Sequence, residues 1–362
     1  MLKHPKTEEE LEELLSTPSA RLVDFMGRLD GDLMLLGAAG KVGVTLGMMA
    51  ARAARDARAA GEARAAGEAR AAKAPEKPCK VYAVSRFGDA AARARLDAAG
   101  VTTIACDLID REAVAKLPKA RNVIFLAGKK FGTSGAQNQT WAMNTVVPAN
   151  VADHFKGSRI VVFSTGCVYP LSAPDSGGCA EGDDPEPVGE YAQSALGRER
   201  VFEYFSRSLN MPVCLFRLNY AIDLRYGVLH DLALKVRDGE PIDLAAGTFN
   251  CIWQGDVIER AILALDLCTV PPYPLNVTGP ETISVRWAAE ELGRHLGRAP
   301  AFVNTERSCD PVYLSNAALS FSLFGYPRVA LSEMMDMTVE WIASGGASLG
   351  KPTHFERKDG KY

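Results

Sequence analysis

Three glycines at intervals of three, Gly37, Gly40 and Gly43, close an apolar run (LMLLG, 33–37) and open a helical stretch. Glycine there permits a tight turn and a close backbone approach, so amides at the helix start can hold a pyrophosphate. Lys41 and Val42 complete the turn. Its G-x-x-G-x-x-G spacing departs from G-x-G-x-x-G, but the strand before it and the helix after it point to dinucleotide binding. In such folds an acid roughly 20 residues on holds the adenosine ribose. Ser85 stands 42 residues after Gly43, or 18 once a 24-residue repeat is set aside, and no acid is present. Ser85 and Arg86 offer a hydroxyl and a guanidinium, which suit a 2′-phosphate. The cofactor expected is NADP, with NAD as the alternative.

The elements that position this turn are legible as apolar runs alternating with helical stretches: 33–37, 80–85, 102–106, 122–128, 159–165 and 212–218. Such alternation predicts an α/β fold, a doubly wound, Rossmann-type parallel sheet over 31–218. Before it, Thr7 with Glu10 has capping-box spacing and 18–28 carries an apolar stripe, so 1–30 reads as a helical arm. After it the alternation loosens. Residues 219–247 and 270–350 read as a smaller substrate lobe, with 248–269 returning to the sheet domain. Residues 51–74 are four hexapeptides, ARAARD, ARAAGE, ARAAGE and ARAAKA. A six-residue step turns 600° around a helix, so no apolar stripe forms. The segment reads as a solvated, low-complexity helical insertion.

Composition narrows the classes. An apolar fraction of 47% excludes global disorder, and a net charge of −3 offers nucleic acid no basic field. No run of 18 apolar residues suggests a membrane span. The opening MLKHPKTEEELEELL places glutamates where a signal peptide needs an apolar core, so a cytoplasmic location is expected. The cysteines form no C-x-x-C pair and the histidines are dispersed, so neither a disulfide framework nor a metal site is indicated.

These motifs resemble the extended short-chain dehydrogenase/reductases, the NAD-dependent epimerase/dehydratase family, over about residues 31–345. The resemblance rests also on Asp107-Leu108, Leu126-Ala127-Gly128 and Asn144, and on Ser164-Thr165-Gly166-Cys167-Val168-Tyr169, Tyr191 opening YAQSALGRER, NVTGPETISV (276–285) and the C-terminal FGYPRVALSEMMDMTVEWI. It implies that Asp107 and Leu108 lie beside the adenine and that Leu126, Ala127, Gly128 and Asn144 line the cofactor. Thr165 would orient the substrate oxygen while Tyr191 moves a proton during hydride transfer. A homodimer through 140–155 and 191–208 is likewise implied.

Two departures from the family pattern stand out. Its Tyr-x-x-x-Lys motif reads Tyr191-x-x-x-Ala195 here, which removes the cation that lowers the tyrosine pKa. Arg198, seven residues on, and Lys130, placed by the resemblance near the substrate, are candidate replacements. Phe249 stands where nucleotide-sugar enzymes carry an arginine, which turns the expectation toward a smaller sugar, sugar acid or polyol. Asn219, Arg225 and Tyr226 are expected to line its cleft, with Arg225 pairing either a carboxylate of the substrate or a structural one. The function expected is NAD(P)-dependent dehydrogenation, epimerisation or dehydration of that small molecule; the alternative is a catalytically silent NADP-binding sensor or regulatory protein.

Overall fold

Hydrogen bonds join seven parallel strands into one sheet, in a computed structural model that describes residues 3–67, 79–130, 132 and 135–360. Six strands are those read from the sequence: β1 Leu33–Leu36, β2 Val81–Ser85, β3 Thr102–Ala105, β4 Asn122–Phe125, β5 Arg159–Thr165 and β6 Val213–Leu218. Their spatial order is β3-β2-β1-β4-β5-β6, and Leu36 registers with both Val84 and Phe125. The order reverses between β1 and β4, and a crevice opens at that switch point, beyond the strands' carboxyl ends.

The seventh strand, Tyr273–Val277, pairs parallel with β6 at the edge of this sheet. Residues 270–350 read from the sequence as lobe, and this segment corrects that boundary. An edge strand bonds on one side only, so Pro274 is tolerated there.

Alternation along β1 explains the layering. Leu33 and Leu35 face one apolar cluster, with Leu22, Phe25 and Met26 of α2 (Ala20–Arg28) and Ile258 and Ile262 of α10 (Gln254–Leu263). Met34 and Leu36 face the other, with Val147 and Val151 of α7 (Val147–His154) and Phe202 of α8 (Gly189–Leu209). A third cluster gathers α9 (Val228–Asp238), α11 (Val285–Leu296) and α13 (Leu331–Ala343) around Trp253 and Trp341.

Both N-terminal helices are integrated rather than peripheral. Leu11 and Leu15 of α1 (Glu8–Ser16) lie in the third cluster, while α2 packs under the sheet. The Thr7 side chain caps α1 by accepting the Glu10 N–H, as the capping-box spacing predicts. Helix α3, Gly43–Gly67, continues from the glycine turn into the repeat as one helix; from Arg52 through Ala63 only Ala53 is buried. The end of the repeat, 68–74, lies outside the described residues. Among the described residues no helix is long and apolar enough to cross a membrane.

Candidate active site at the carboxyl end of the sheet

The glycine turn sits where β1 meets α3. Gly37 has φ 93°, and a Cβ on it would stand 2.7 Å from the Ala127 amide nitrogen. A side chain there would therefore break the approach between the turn and the end of β4. On Gly43 a Cβ would collide with the Ala38 carbonyl, whereas on Gly40 it would meet nothing nearer than 3.5 Å. The turn thus has two tightly packed glycines and one, Gly40, at which a Cβ would make only ordinary contact with the Gly37 carbonyl. At the end of β2, Ser85 is half-buried and Arg86 exposed. Asp107 accepts the Ile109 N–H at 3.2 Å, and Leu108 is buried beneath it.

Beyond β4 the chain passes Leu126, Ala127 and Gly128 into a lysine pair. Asn144 lies in a π-helical turn, Ala142–Val146, and is fully buried. Such turns recur at functional sites. Its carboxamide oxygen accepts the Lys129 N–H at 3.0 Å and an Arg198 Nη2 proton at 2.6 Å. Its amide nitrogen donates to the Lys129 carbonyl and to the Ser194 hydroxyl, at 3.2 and 2.8 Å. Ser194 in turn donates to the Tyr191 carbonyl at 2.9 Å. Asn144 therefore ties the loop after β4 to the helix bearing Tyr191.

Arg198 is 6% exposed; besides Asn144 it reaches the Phe163 carbonyl at 2.7 Å. Its guanidinium packs so tightly under Gly128 that any side chain at 128 would displace it. Ala195, the motif-lysine position, is fully buried against Val168, Tyr169 and Cys179. The cation nearest the family lysine's role thus comes from two turns further along α8.

Thr165 ends β5 and caps the following turn by accepting the Cys167 N–H at 3.2 Å. Its hydroxyl also hydrogen-bonds the Tyr191 phenol. Burial pushes that phenol up to about 12, the Cys167 thiol nearby adds to the rise, and the Arg198 charge and the Thr165 bond oppose it. Lys130 stands 5.9 Å over the Tyr191 ring, and burial lowers its ammonium.

A network under β5 fixes this arrangement. The Ser164 hydroxyl donates to Glu199, whose carboxylate accepts Arg217 Nε and Nη2 at 3.0 and 2.7 Å. Arg217 Nη1 donates to the Tyr169 hydroxyl, which donates to Asn276 of the seventh strand at 2.9 Å. Arg217 is thus structural, and its bidentate pair is sealed from solvent.

Lys41, Lys130, Thr165, Tyr191, Asn219 and Tyr226 line one cavity of about 160 Å³. Arg225 does not line it. Its guanidinium contacts Asp223 at 2.8 Å, Glu8 at 3.1 Å and Glu12 at 3.3 Å, so the expectation of a substrate carboxylate partner gives way to structural salt bridging. Gln254 and Thr353 also line the cavity and went unread in the sequence. Gln254 opens α10 directly after a buried Trp253, and Thr353 lies in a tail without a motif; neither carries a local signal. Tyr220, another lining residue, has φ 42°, a left-handed conformation costly for an aromatic residue and frequent at functional sites.

Residues 60–234 match the model of the NAD dependent epimerase/dehydratase family. This segment is just under half of the chain, and it is similar to that family. No curated protein matches it. Similar solved structures include Pal from Bacillus thuringiensis, at 16% identity and a TM-score of 0.65, covering 86% of this chain and 99% of that one. They include the Thermus thermophilus UDP-glucose 4-epimerase complexed with NAD, at 19% identity and a TM-score of 0.63, covering 85% and 98%. The Streptomyces venezuelae dTDP-glucose 4,6-dehydratase DesIV, with NAD and TYD bound, is similar at 18% identity and a TM-score of 0.64, covering 86% and 97%. At these identities the likeness concerns the fold. The matched family segment begins at residue 60, after the glycine turn, so the turn is an independent sign of the same architecture.

Proposed function

We propose that the chain is an NADP-dependent enzyme that oxidises or reduces a carbinol or carbonyl carbon of a small sugar-like substrate. The observation that carries this reading is the Thr165–Tyr191 hydrogen bond, held at the end of the sheet between the glycine turn and the buried Arg198. When bound, the nicotinamide supplies hydride exchange at the reacting carbon. The close turn through Gly37, Gly40 and Gly43 at the start of α3 fits the cofactor's diphosphate, and Ser85 with Arg86 fits a 2′-phosphate. Tyr191 moves the proton at its phenol oxygen, and Thr165 orients both that phenol and the substrate oxygen. Arg198 favours the phenolate by its charge, and Asn144 positions Arg198.

A substrate smaller than a nucleotide sugar is supported by Phe249. The residue is buried, its ring 6.2 Å from Phe355 of the C-terminal tail, so that position offers a diphosphate no charge. A homodimer is supported by exposed apolar side chains on α6 (Gln137–Trp141), on the π-turn and on α8: Trp141, Val146, Tyr204 and Leu209.

The test follows reduced nicotinamide by absorbance with a panel of polyols and sugar acids. Turnover by the wild type, abolished in Tyr191→Phe with cofactor binding kept, is the expected result. Turnover that persists in Tyr191→Phe contradicts the assignment. The silent-protein reading is favoured by the buried Ala195, and its mark is tight cofactor binding with no turnover across the panel.

A further inference from the structure

Residues 346–360 form no helix or strand, yet they leave α13 along a fixed course. Ordering a segment of that kind costs conformational entropy, which its contacts must offset. The Leu349 N–H donates to the Arg225 carbonyl at 3.0 Å, and the Ser348 hydroxyl hydrogen-bonds His230 Nε2 at 3.0 Å. Thr353 is buried, and Phe355 joins the apolar cluster around Trp253 and Trp341. At the far end two backbones touch, because a Cβ on Gly189 would stand 2.7 Å from the Gly360 α-carbon. The segment is thus fastened to both walls of the cavity. One anchor, Arg225, adjoins Tyr226, and the other, Gly189, stands just before Tyr191 at the start of α8. Thr353 is the residue that this segment adds to the lining.

The polarity of the Thr353 hydroxyl is fixed from behind. Its N–H and its O–H both reach one carboxylate oxygen of Asp231, at 2.7 and 2.6 Å. An ionised carboxylate only accepts, so Thr353 gives it the single hydroxyl proton. Burial raises the Asp231 carboxyl, and these two bonds oppose the rise. Toward the cavity the Thr353 oxygen then offers lone pairs alone. Two neighbours in the lining have likewise committed their protons. The Asn219 amide nitrogen donates to Asn250 at 2.7 Å and to the Tyr313 carbonyl at 3.5 Å. That of Gln254 donates to Thr45 at 3.3 Å and to Asp223 at 3.4 Å. What these three side chains can still give a ligand is acceptor oxygen.

We propose that Thr353 is a specificity-determining residue, accepting a hydrogen bond from a substrate hydroxyl where residues 346–360 close the cavity beside Tyr191. This rests on the enzyme reading above and adds the group that the substrate must present. A hydroxyl satisfies Thr353, whereas a ketone, an ether or a missing oxygen brings it no proton. Asp231 is a positioning residue that acts through Thr353.

The experiment measures kcat and KM of the full chain with NADP⁺ across glucose, galactose, sorbitol and xylitol, then across singly deoxygenated forms of the best substrate. Thr353→Val is expected to raise KM for the parent by about tenfold, the scale of one hydrogen bond, with kcat and NADPH affinity moved by about twofold at most. One deoxy form should carry a similar penalty in the wild type, and that penalty should vanish in Thr353→Val, where the bond is already gone. Thr353→Ser, which keeps the hydroxyl, should recover the parent KM. An unmoved KM in Thr353→Val, or a penalty for every deoxy form that survives there, overturns the assignment and leaves the enzyme reading standing. A joint loss of kcat, KM and NADPH affinity also overturns it, because the segment then only supports the fold. A wild type that binds no NADPH removes the enzyme reading, and the substrate contact with it.

Discussion

The Arg198 guanidinium donates to the Asn144 carboxamide at 2.6 Å, and with the Asn144–Ser194 bond it joins the helix bearing Tyr191, through Asn144, to the loop bearing Lys130. Arg198 lies seven residues after Tyr191, on the same face of α8 and about 10 Å further along the axis. A long, delocalised cation can act across that gap where a lysine on the intervening turn is missing. The relationship supports a working site without the family lysine.

Arg198→Met is expected to lower kcat by about 10²-fold, the scale of losing one oriented electrostatic group. The direction of the pH effect is fixed by charge. Arg198 favours the phenolate, so its loss raises the Tyr191 pKa further and shifts the pH–rate profile toward higher pH. Arg198→Lys should recover part of the rate and part of the pH shift. A variant with reduced kcat and an unmoved profile would make Arg198 a packing residue alone.

Ala195→Lys, which restores the family motif, is expected to destabilise the chain and not to raise activity. Ala195 is fully buried against Val168, Tyr169 and Cys179, so the new ammonium would enter an apolar cluster. Thermal unfolding of the variant, with turnover measured below its transition, checks this.

Lys41 makes stability depend on pH. Its folded pKa of about 7 lies below the ordinary lysine value of 10.5, so the unfolded chain binds the extra proton between those two values. Its effect is thus destabilising below pH 7 and fades as pH rises toward 10.5. Lys41→Met is expected to raise Tm most at pH 6 and to make little difference above pH 10. A uniform change across that range would contradict the assignment.

Much of this was legible in the sequence, for identifiable reasons. Five of the six strands were visible because strands covered on both faces are apolar along their interior, as in Leu33–Leu36 and residues 160–163. The seventh was missed because Tyr273–Val277 contains Pro274 and sits at the sheet edge. Tyr226 and Arg225 are adjacent in sequence yet have opposite fates. The first lines the cavity, while the second is held by Glu8 and Glu12 from the other end of the chain, a pairing no local pattern reveals.

Glu199→Ala should cost about 3–5 kcal/mol of stability, because it leaves the Arg217 guanidinium buried without its partner. Chemical denaturation checks this. A loss under 1 kcal/mol would mean that water reaches Arg217.

Tyr204→Lys is expected to shift the chain from dimer to monomer. Tyr204 is 67% exposed on the α8 face proposed for the dimer. Sedimentation measures the outcome, and an unchanged mass would move the interface elsewhere.

The most direct test of the central claim is titration of the purified chain with NADPH and with NADH, followed by nicotinamide fluorescence, in the wild type and in Arg86→Ala. The account predicts tight NADPH binding, weaker NADH binding, and a wild-type preference that Arg86→Ala removes while NADH affinity stays unchanged. Binding of neither nucleotide would contradict it, leaving the glycine turn a structural feature and Tyr191 without a hydride partner.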